Sequence, residues 1–381
     1  MVRFAVIGMG PIGSMHVDNL MGGKIPEAEI ACACEQRPVE DPKYAGLKIY
    51  KELDDMLAAG GFDAVIVSTP SFTHYPLAKK CLEAGYHTLV EKPIALCTAD
   101  AIELQEFAKK CGKKCAIMLN QRTTPLYARI KELIDSGEIG KINRVSWTMS
   151  NWYRPDIYFQ SSPWRGTWKG EAGGALINQS IHNIDIWAWA FGMPEKLRAW
   201  CKFGKYHDIE VEDEVVCHLD LKGGASATFI TSTGEYPGAN RLEIAGDKAF
   251  VVAENDALTI TRFEGSSLSE YTRDTLYMFG SPDTKTETET FDGKGEQHVG
   301  VLKNFARAID SDGRLDFDAS QGELSLELAN AMLLSAWTDS EVSFPLDHAK
   351  YKKMLDGKIA SSKLRDKPRQ GAIVDFKKSF K

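Results

Sequence analysis

The sequence predicts an α/β protein in two parts: an N-terminal domain with a parallel sheet covered by helices on both faces, and a C-terminal α+β domain with an open, mainly antiparallel β-sheet. Three observations predict this architecture. Short apolar strands alternate with amphipathic helices in the first third, a glycine-rich turn joins the first strand to the first helix, and longer alternating strands begin at residue 142. We place the domain boundary after residue 122, which gives domains at 1–122 and 123–381.

The N-terminal part is predicted to alternate strands and helices. Its strands are rich in branched and aromatic residues and are almost continuously apolar, which is typical of parallel strands buried on both faces. The helices between them carry their apolar residues on one face. In chain order we predict strand 2–7, helix 14–21, strands 30–34 and 63–69, helix 74–84, strand 87–90, helix 99–111, strand 115–119 and helix 125–136.

A G-x-G-x-x-G run separates the first predicted strand from the first predicted helix. Its first glycine makes a tight turn, its second lets the backbone approach a pyrophosphate, and its third lets helix and strand pack closely. The alternative is a glycine-rich turn without a ligand. The position between strand and helix favours a Rossmann-type dinucleotide-binding domain, with cofactor contacts from Gly8, Gly10, Pro11, Ile12 and Gly13.

Glu35 follows the second predicted strand, close to the expected ~20 residues downstream of the glycine run. A carboxylate at this point accepts hydrogen bonds from the adenosine ribose hydroxyls and repels a 2′-phosphate. Arg37 complicates the choice, because its guanidinium could reach such a phosphate. We therefore place Glu35 and Arg37 in the cofactor site and expect NAD, with NADP as the possible alternative.

The pattern changes in the C-terminal part. Glycine-containing turns at 222–224 and 246–248 separate longer strands, as in hairpins. One predicted helix, 174–191, interrupts the strands, two more follow at 299–310 and 322–337, and 264–297 is predicted to be a long surface excursion. The predicted strands are 143–152, 196–203, 213–221, 225–232, 241–244 and 249–252.

Composition excludes several classes of protein. The 381 residues carry a net charge of −7 and no basic block, which argues against nucleic acid or an anionic membrane as a partner. No run approaches the ~18 apolar residues that a membrane-spanning helix needs. The eight cysteines show neither a C-x-x-C pair nor a zinc spacing, so we expect reduced thiols, no metal and a cytoplasmic protein. The first strand begins at once, and we expect no targeting segment.

Lys92 lies in Glu91-Lys92-Pro93, directly after the strand predicted at 87–90. Ligands of open α/β sheets bind beyond the carboxyl ends of the strands, so Lys92 would reach the crevice that holds the cofactor. Its ammonium group could stabilise the charge that develops on a substrate oxygen as hydride moves. The alternative is a solvated lysine at a strand end.

Asn178, His182 and Asp185 are spaced i, i+4 and i+7, so they would share one face of the helix predicted at 174–191. Three polar groups on one stripe of an apolar helix need partners or a ligand. His182 could act as a general base toward a substrate hydroxyl, with Asn178 orienting it and Asp185 binding substrate. The alternative is a histidine satisfied within the core.

An aromatic and basic segment, 147–168, holds four of the eight tryptophans. Aromatic faces beside charged donors suit a sugar or cyclitol ring, whose C–H face stacks while its hydroxyl groups form hydrogen bonds. A packed aromatic rim at an interface is the alternative, and single-stranded nucleic acid is disfavoured by the acidic chain. The substrate-binding candidates from this segment are Tyr153, Trp164 and Arg165.

Together these motifs resemble the glucose–fructose oxidoreductase / inositol dehydrogenase / rhizopine-catabolism (Gfo/Idh/MocA) family of NAD(P)-dependent sugar and polyol oxidoreductases. The resemblance covers most of the chain. It rests on the segments 6–13, 68–74 (Ser-Thr-Pro-Ser-Phe-Thr-His), Glu91-Lys92-Pro93, 136–141, Gly173-Gly174 and His182-x-x-Asp185.

The resemblance implies that Lys92 and His182 are catalytic and that the second sheet forms a homodimer or homotetramer. Many members carry aspartate four residues before the histidine. Here that residue is Asn178, an amide that can orient a substrate but cannot take its proton. Because aspartate is the commoner residue, the resemblance predicts that Asn178→Asp is tolerated. It further implies a cofactor lining formed by Thr69, Pro70, His74, Glu91 and Asn120.

These expectations favour an NAD(H)-dependent enzyme that transfers hydride between nicotinamide and a ring secondary alcohol or ketone of a sugar, glycoside or cyclitol. One alternative is an NAD-dependent glycosidase that works through transient oxidation and elimination. Another is a dinucleotide-binding sensor without catalysis, which has little reason to keep both Lys92 and His182.

Overall fold

The N-terminal part forms a six-stranded, all-parallel sheet with the strand order β3-β2-β1-β4-β5-β6. The computed structural model describes residues 1–365, 369 and 371–374. The central strands are almost wholly buried, as their continuous apolar sequences predict. Strands of this sheet are β1 (Val2–Ile7), β2 (Ala28–Cys34), β3 (Ile49–Tyr50), β4 (Ala64–Val67), β5 (His87–Val90) and β6 (Cys115–Ile117).

Helices connect these strands. Short 3₁₀ turns at Ser71–Thr73 and Asn120–Thr123 follow β4 and β6, so both stand at the carboxyl edge of the sheet. The helices are α1 (Pro11–Met21), α2 (Leu53–Ala59), α3 (His74–Glu83), α4 (Thr98–Cys111) and α5 (Pro125–Asp135). The sequence missed α2 and the two-residue strand β3, which are too short to show a clear period.

The second part is a nine-stranded mixed sheet with the order β14-β13-β12-β11-β7-β10-β9-β8-β15. Its β7 and β10 pair in parallel, and the other strand pairs are antiparallel. Burial alternates along its strands, so one face is covered and the other is open. The strands are β7 (Ile142–Met149), β8 (Lys196–Phe203), β9 (Glu212–Asp220), β10 (Ser226–Ser232), β11 (Asn240–Gly246), β12 (Ala249–Glu254), β13 (Ala257–Phe263), β14 (Thr284–Thr290) and β15 (Val342–Ser343).

Two predictions for this part differ from the structure. The excursion expected at 264–297 contains the edge strand β14, because a Thr/Glu repeat lacks the apolar alternation that marks a strand but pairs fully with β13. The single helix predicted at 174–191 is broken into a π-helical turn, Ala175–Gln179, and a separate helix. The helices are α6 (Asp156–Gln160), α7 (Trp168–Glu171), α8 (Ile181–Phe191), α9 (Leu268–Asp274), α10 (Gln297–Ser311), α11 (Ala319–Thr338) and α12 (His348–Ser361).

Helix α11 lies between the two sheets. The Asn330 side-chain oxygen accepts a hydrogen bond from the Thr98 N–H at 3.0 Å, and Ser335 accepts one from the Ala199 N–H at 2.9 Å. Just before α11, the Phe317 carbonyl accepts a hydrogen bond at 2.9 Å from the N–H of Ile117, the last residue of the edge strand β6. Helices after residue 296 therefore return to the parallel sheet. The boundary at residue 122 stays a prediction, and the end of the second domain at 381 lies outside the described residues.

All eight cysteines are free, and six of them are buried. Within the described residues, no helix is long and apolar enough to cross a membrane. No group of three or more histidine, cysteine, aspartate or glutamate side chains in that part of the chain is arranged to hold a metal ion.

Candidate active site at the edge of the parallel sheet

The glycine-rich turn between β1 and α1 has the shape that its sequence predicts. Gly8 has a φ of 87°, in the left-handed region that disfavours side chains. A Cβ at Gly13 would lie 1.8 Å from the Gly8 carbonyl oxygen, so only glycine allows this approach of helix to strand. Gly10 caps α1 without a side-chain hydrogen bond, and Pro11 begins the helix. The open N-terminus of α1 suits an anionic group.

Glu35 is tied to this turn. Its carboxylate accepts a hydrogen bond from the Met9 N–H at 2.8 Å and from the Arg37 Nε at 3.0 Å. Burial raises the pKa of Glu35, but the hydrogen bonds from Arg37 and Met9 outweigh it and hold the pKa below its usual value. Glu35 is therefore an ionised acceptor beside the turn, and Arg37 is bound to that carboxylate.

Residues expected to line the cofactor follow β4. His74 is buried, with Nδ1 2.7 Å from the Pro93 carbonyl and Nε2 2.8 Å from the Thr69 carbonyl. Burial lowers the pKa of His74, and the contacts with the Pro93 and Thr69 carbonyls oppose that shift. His74 thus connects the Thr69–Pro70 loop to the loop that carries Lys92, and its place in the cofactor lining stays a prediction.

A buried contact between a histidine and a glutamate lies beside the loop that carries Lys92. His16 Nε2, from α1, is 2.8 Å from Glu91 Oε1. Burial raises the pKa of Glu91, but the contact with His16 dominates and lowers it to about 2. The ring of His298 stands 5.6 Å from that of His16. Neither histidine was predicted to belong to the site. The position of His16, three residues after Gly13 on the first helix, could have indicated that it lies near the glycine-rich turn.

Lys92 leaves the end of β5 and points to the second part of the chain. Its Nζ donates to the Asn178 carbonyl at 3.0 Å, and the Lys92-Pro93 bond is cis. Burial lowers the pKa of Lys92, Glu91 opposes that shift, and Arg165 adds to it. Lys92 is partly buried and directed at the Asn178 carbonyl, unlike the solvated strand-end lysine of the alternative.

The turn before α8 owes its shape to a buried glutamate. Glu212 Oε1 accepts hydrogen bonds from the N–H groups of Gly174, at 2.8 Å, and Leu176, at 2.9 Å. A Cβ at Gly174 would stand 2.1 Å from the Glu212 carbonyl oxygen. The Ser180 N–H then donates to the Ala175 carbonyl at 2.7 Å, five residues back, which is the π-helical pattern. This turn presents the Asn178 carbonyl to Lys92.

The Asn178 side chain contacts two groups. Its Nδ2 donates to the Glu171 carboxylate, and its Oδ1 lies 3.5 Å from the Tyr158 hydroxyl, which donates to it. Arg165 and Gln179 in turn donate to the Tyr158 oxygen. Asn178 therefore takes part in a hydrogen-bond network that sequence spacing did not reveal, because Glu171 and Tyr158 lie on other elements.

His182 is the second residue of α8 and has a ring nitrogen without a hydrogen-bond partner in the described residues. Its Nδ1 is buried without a hydrogen-bond partner among the described residues. Burial, reinforced by the nearby Lys92 charge, holds the pKa of His182 well below its usual value. The imidazole is therefore neutral at pH 7 and able to accept a proton.

The aromatic segment divides between the site and its rim. Arg165 lies 4.2 Å from the ring centroid of Tyr158 and 4.4 Å from that of Trp164, so these three share the network around Asn178. Tyr153 instead is exposed and contacts Tyr236, with ring centroids 5.9 Å apart. Arg165 and Trp164 therefore lie close to Asn178, and substrate binding by Arg165, Trp164 and Tyr153 stays a prediction.

Asp185 lies elsewhere. Both its carboxylate oxygens accept hydrogen bonds from Arg122, at 2.9 Å and 2.6 Å, and the pair is buried. Because α8 restarts after the π-helical turn, Asp185 does not share a stripe with Asn178 as the spacing predicted. This geometry favours a structural ion pair between α8 and the Asn120–Thr123 turn over contact with a substrate.

The described residues fit a nicotinamide dinucleotide. Gly10, at the N-terminus of α1, has no atom within 4 Å of the place that a Cβ would take, so the backbone there is open to a ligand. Asn120 donates to Gln297 at 2.6 Å, while its buried Oδ1 has no partner in the described part of the chain. An unsatisfied acceptor at the carboxyl edge of the sheet suits an amide donor of the ligand.

Comparison with family models decides the assignment. Residues 2–119 match the model described as oxidoreductase family, NAD-binding Rossmann fold, and residues 127–252 match the GFO/IDH/MocA C-terminal domain. The chain belongs to the GFO/IDH/MocA family. It is an oxidoreductase whose N-terminal domain binds NAD, and the predicted fold class and cofactor are confirmed.

Individual relatives of the GFO/IDH/MocA family agree with this assignment. The scyllo-inositol 2-dehydrogenase (NAD(+)) of Bacillus subtilis is 28% identical over 284 residues, which cover 70% of this chain and 78% of that protein. The inositol 2-dehydrogenase of Rhizobium meliloti is 25% identical, covering 90% and 99%. Among solved structures, the WlbA dehydrogenase of Chromobacterium violaceum, in complex with NADH and UDP-GlcNAcA, is 28% identical with a TM-score of 0.78, covering 91% and 96%.

Proposed function

We propose that the enzyme oxidises a ring secondary alcohol of a sugar, glycoside or cyclitol with NAD, or reduces the matching ketone with NADH. One observation carries the proposal. At the carboxyl edge of the NAD-binding sheet, the partly buried Lys92 side chain contacts the turn that leads into neutral His182, whose Nδ1 has no partner in the described residues. A cation and a proton acceptor together suit the reaction of a hydroxyl group.

The two side chains have different roles. Neutral His182 accepts the proton of the hydroxyl group during oxidation and returns it during reduction. Lys92 donates a hydrogen bond to the substrate oxygen and stabilises the negative charge that develops there. When bound, the cofactor takes up or supplies the hydride. The Asn178 amide, which cannot take the proton, orients the substrate.

The substrate class follows from the surface beside these groups. The Tyr158 and Trp164 rings and the Arg165 guanidinium form a mixed aromatic and hydrogen-bonding surface. Such a surface can stack on the C–H face of a ring and bind its hydroxyl groups. Two of the relatives are named as inositol dehydrogenases, and the WlbA structure contains UDP-GlcNAcA, so rings rich in hydroxyl groups are the substrates to test first.

NAD is the proposed cofactor in preference to NADP. The ionised Glu35 carboxylate beside the glycine-rich turn would accept ribose hydroxyls and repel a 2′-phosphate. Arg37 is bound to Glu35, which reduces its availability to a phosphate. A related protein of Bacillus subtilis, IolW, is named for NADP(+), so the comparison of the two cofactors is informative. A higher kcat/KM with NADP would contradict this proposal.

The open face of the nine-stranded sheet is proposed as the contact surface of a homodimer or homotetramer. Trp200 on β8 pairs with Val216 on β9, which pairs with Ile230 on β10, so apolar side chains form a row across three strands. Trp200 is 50% exposed and Val216 is 40% exposed. An apolar row of this kind on an open sheet favours a partner. We propose a cytoplasmic location for the assembly, and sedimentation of the full chain would measure its mass.

Reduction of NAD and NADP by a panel of sugars, glycosides and cyclitols tests the function directly. We expect steady formation of NADH with at least one ring alcohol and no reaction with open-chain primary alcohols. Cleavage of a glycoside without net NADH would instead identify the NAD-dependent glycosidase. Binding of NAD without turnover of any panel member would favour the sensor and contradict the proposal.

A further inference from the structure

Glu171 is a buried carboxylate that the reaction described above does not use. It ends α7, is 2% exposed, and its Oε2 accepts a hydrogen bond from the Gly166 N–H at 2.6 Å. Its Oε1 accepts from Asn178 Nδ2 and lies 3.9 Å from Arg165 Nη1. Every described contact of this carboxylate is therefore with a group of the candidate site or with the loop that carries Arg165.

We propose that Glu171 is the positioning residue of this site, and that its carboxylate and the Asn178 amide form a matched pair that holds the π-helical turn against Lys92. The inference rests on the proposed function, because it concerns how Asn178 and Lys92 are held for that reaction. In this proposal the negative charge beside Asn178 belongs to Glu171, which precedes Asn178 by seven residues.

The hydrogen bonds explain why the pair is matched. Burial raises the pKa of Glu171, while Arg165, the Gly166 N–H and Asn178 favour its ionised form. The ionised carboxylate has acceptors alone, and it uses one oxygen for the Gly166 N–H. The other oxygen needs a donor, which the Asn178 amide supplies while its Oδ1 faces the Tyr158 hydroxyl. This fixes which way the amide points. Since the backbone carbonyl of the same residue accepts from Lys92, the pair also fixes the place of the Lys92 ammonium.

Charge gives Glu171 a second effect on Lys92. Lys92 faces carboxylates at Glu91 and Glu171 and guanidinium groups at Arg154 and Arg165. His182 and His298 also lie close enough to feel its charge, and burial keeps both neutral. The two carboxylates favour the ammonium form of Lys92, which burial and the two guanidinium groups disfavour. Removing the charge of Glu171 should therefore lower the pKa of Lys92 further.

This pairing reverses one expectation from the family. Asn178→Asp restores the family's commoner residue but places a second carboxylate against Glu171, with no donor between them. Two carboxylates in contact share a proton, so the change should be harmful. Glu171→Gln also leaves a mismatch. If the glutamine oxygen accepts from the Gly166 N–H, the glutamine NH₂ group faces the NH₂ group of Asn178, and both are donors. In the double variant every donor meets an acceptor again.

The test is a double-mutant cycle of wild type, Glu171→Gln, Asn178→Asp and the double variant, assayed on the substrate found in the panel. We expect each single change to lower kcat by up to about 10²-fold, the cost of misplacing a catalytic group. The double variant should recover to within about 10-fold of wild type. In Glu171→Gln the limb of the pH–rate profile that reports Lys92 should move to lower pH. Glu210→Gln is the matched control. Glu210 accepts a hydrogen bond from the N–H of Trp168, on the helix α7 that also carries Glu171, and the kcat of this variant should equal that of wild type.

Two further measurements keep the outcomes distinct. If the single variants are unstable, their melting temperatures report the pairing directly: the Asn178→Asp protein should lose stability as pH rises, because its carboxylate pair holds a proton when folded. Multiplicative losses in the double variant would overturn the inference, as would recovered stability without recovered kcat. A wild type that binds NADH but oxidises no panel substrate would refute the proposed function, while the melting cycle would still test the pair.

Discussion

The candidate site has two sides that are held in different ways. The strand side is Glu91-Lys92-Pro93, at the end of β5, and the turn side is the segment 173–182, which carries Asn178 and His182. On the strand side, β5 is bonded to β4 and β6 within a sheet buried on both faces. On the turn side, the backbone follows a π-helical path that depends on single side chains, Glu212 and Glu171.

The two sides should respond differently to substitution. A strand end is fixed by many backbone hydrogen bonds, so one substitution at Lys92 should change chemistry without moving the backbone. The turn is fixed by a few buried acceptors, so substitutions there should change both geometry and stability. Substitutions on the two sides should therefore differ in their effects on turnover and on stability.

His182→Ala should lower kcat by roughly 10²–10⁴-fold, the usual contribution of a general base. A neutral imidazole must accept the proton, so wild-type oxidation should lose activity when pH falls below the lowered pKa of His182. Profiles of kcat/KM against pH should show that acidic limb in wild type and not in the variant. Asn178→Ala should cost less, because water can partly replace an orienting amide. A greater loss in Asn178→Ala than in His182→Ala would reverse the two roles.

Lys92→Met should lower kcat roughly 10²-fold or more, because one donor to the developing charge is lost. The affinity for NADH, measured by fluorescence, and the melting temperature should stay close to wild type, since the strand holds its own backbone. Lys110→Met, at an exposed position on α4, serves as the control and should match wild type. Near-normal turnover in Lys92→Met would show a strand-end lysine without a role.

Gly174→Ala should destabilise the turn side. The added Cβ would lie 2.1 Å from the Glu212 carbonyl oxygen, so backbone must shift, and overpacking of this kind costs about 1–3 kcal/mol. Urea unfolding at fixed pH measures the free energy of unfolding. Gly357→Ala, in α12 with open space around its Cα, is the matched control and should be neutral or slightly stabilising. Equal stability of the two variants would show that the turn accommodates a Cβ at residue 174 without loss of free energy.

Glu212→Gln should alter how stability depends on pH. Burial raises the pKa of Glu212 to about 7, despite the hydrogen bonds from Leu176 and Gly174. A folded-state pKa above the unfolded value gives stability that is present at acidic pH and is lost as pH rises toward 7. The variant keeps an acceptor for both N–H groups without that charge. Its melting temperature relative to wild type should therefore increase from pH 5.5 to pH 8.0, and a constant difference would contradict the assignment.

Much of the fold was predictable from local signals. The glycine run, the apolar strands and the alternation of strands with helices gave β1, β5 and α3 close to their observed bounds. The strand β14 was missed because its Thr/Glu sequence lacks an apolar face, and its existence depends on pairing with β13. Pairing between strands is a tertiary property that a single segment cannot show.

The candidate site was predictable on its strand side and incompletely on its turn side. Lys92 at a strand end and His182 after a glycine pair carry their own signals, and the structure directs Lys92 toward the turn that leads into His182. The helical spacing that grouped Asp185 with Asn178 assumed one continuous helix, and the π-helical turn breaks that helix. The tertiary structure therefore separates two residues that the spacing had joined.

The NAD-binding domain could be predicted without a structure, because the conformation of a glycine turn and the apolarity of buried strands are local properties. The tertiary structure alone decided the partners of the buried charges: Glu171 with Asn178, Glu212 with the 174–176 backbone, and Asp185 with Arg122. A carboxylate withdrawn from water must be paired with a donor, and the donor can come from any element that the fold brings near. Such pairs join residues that belong to different elements, so no local sequence pattern predicts them.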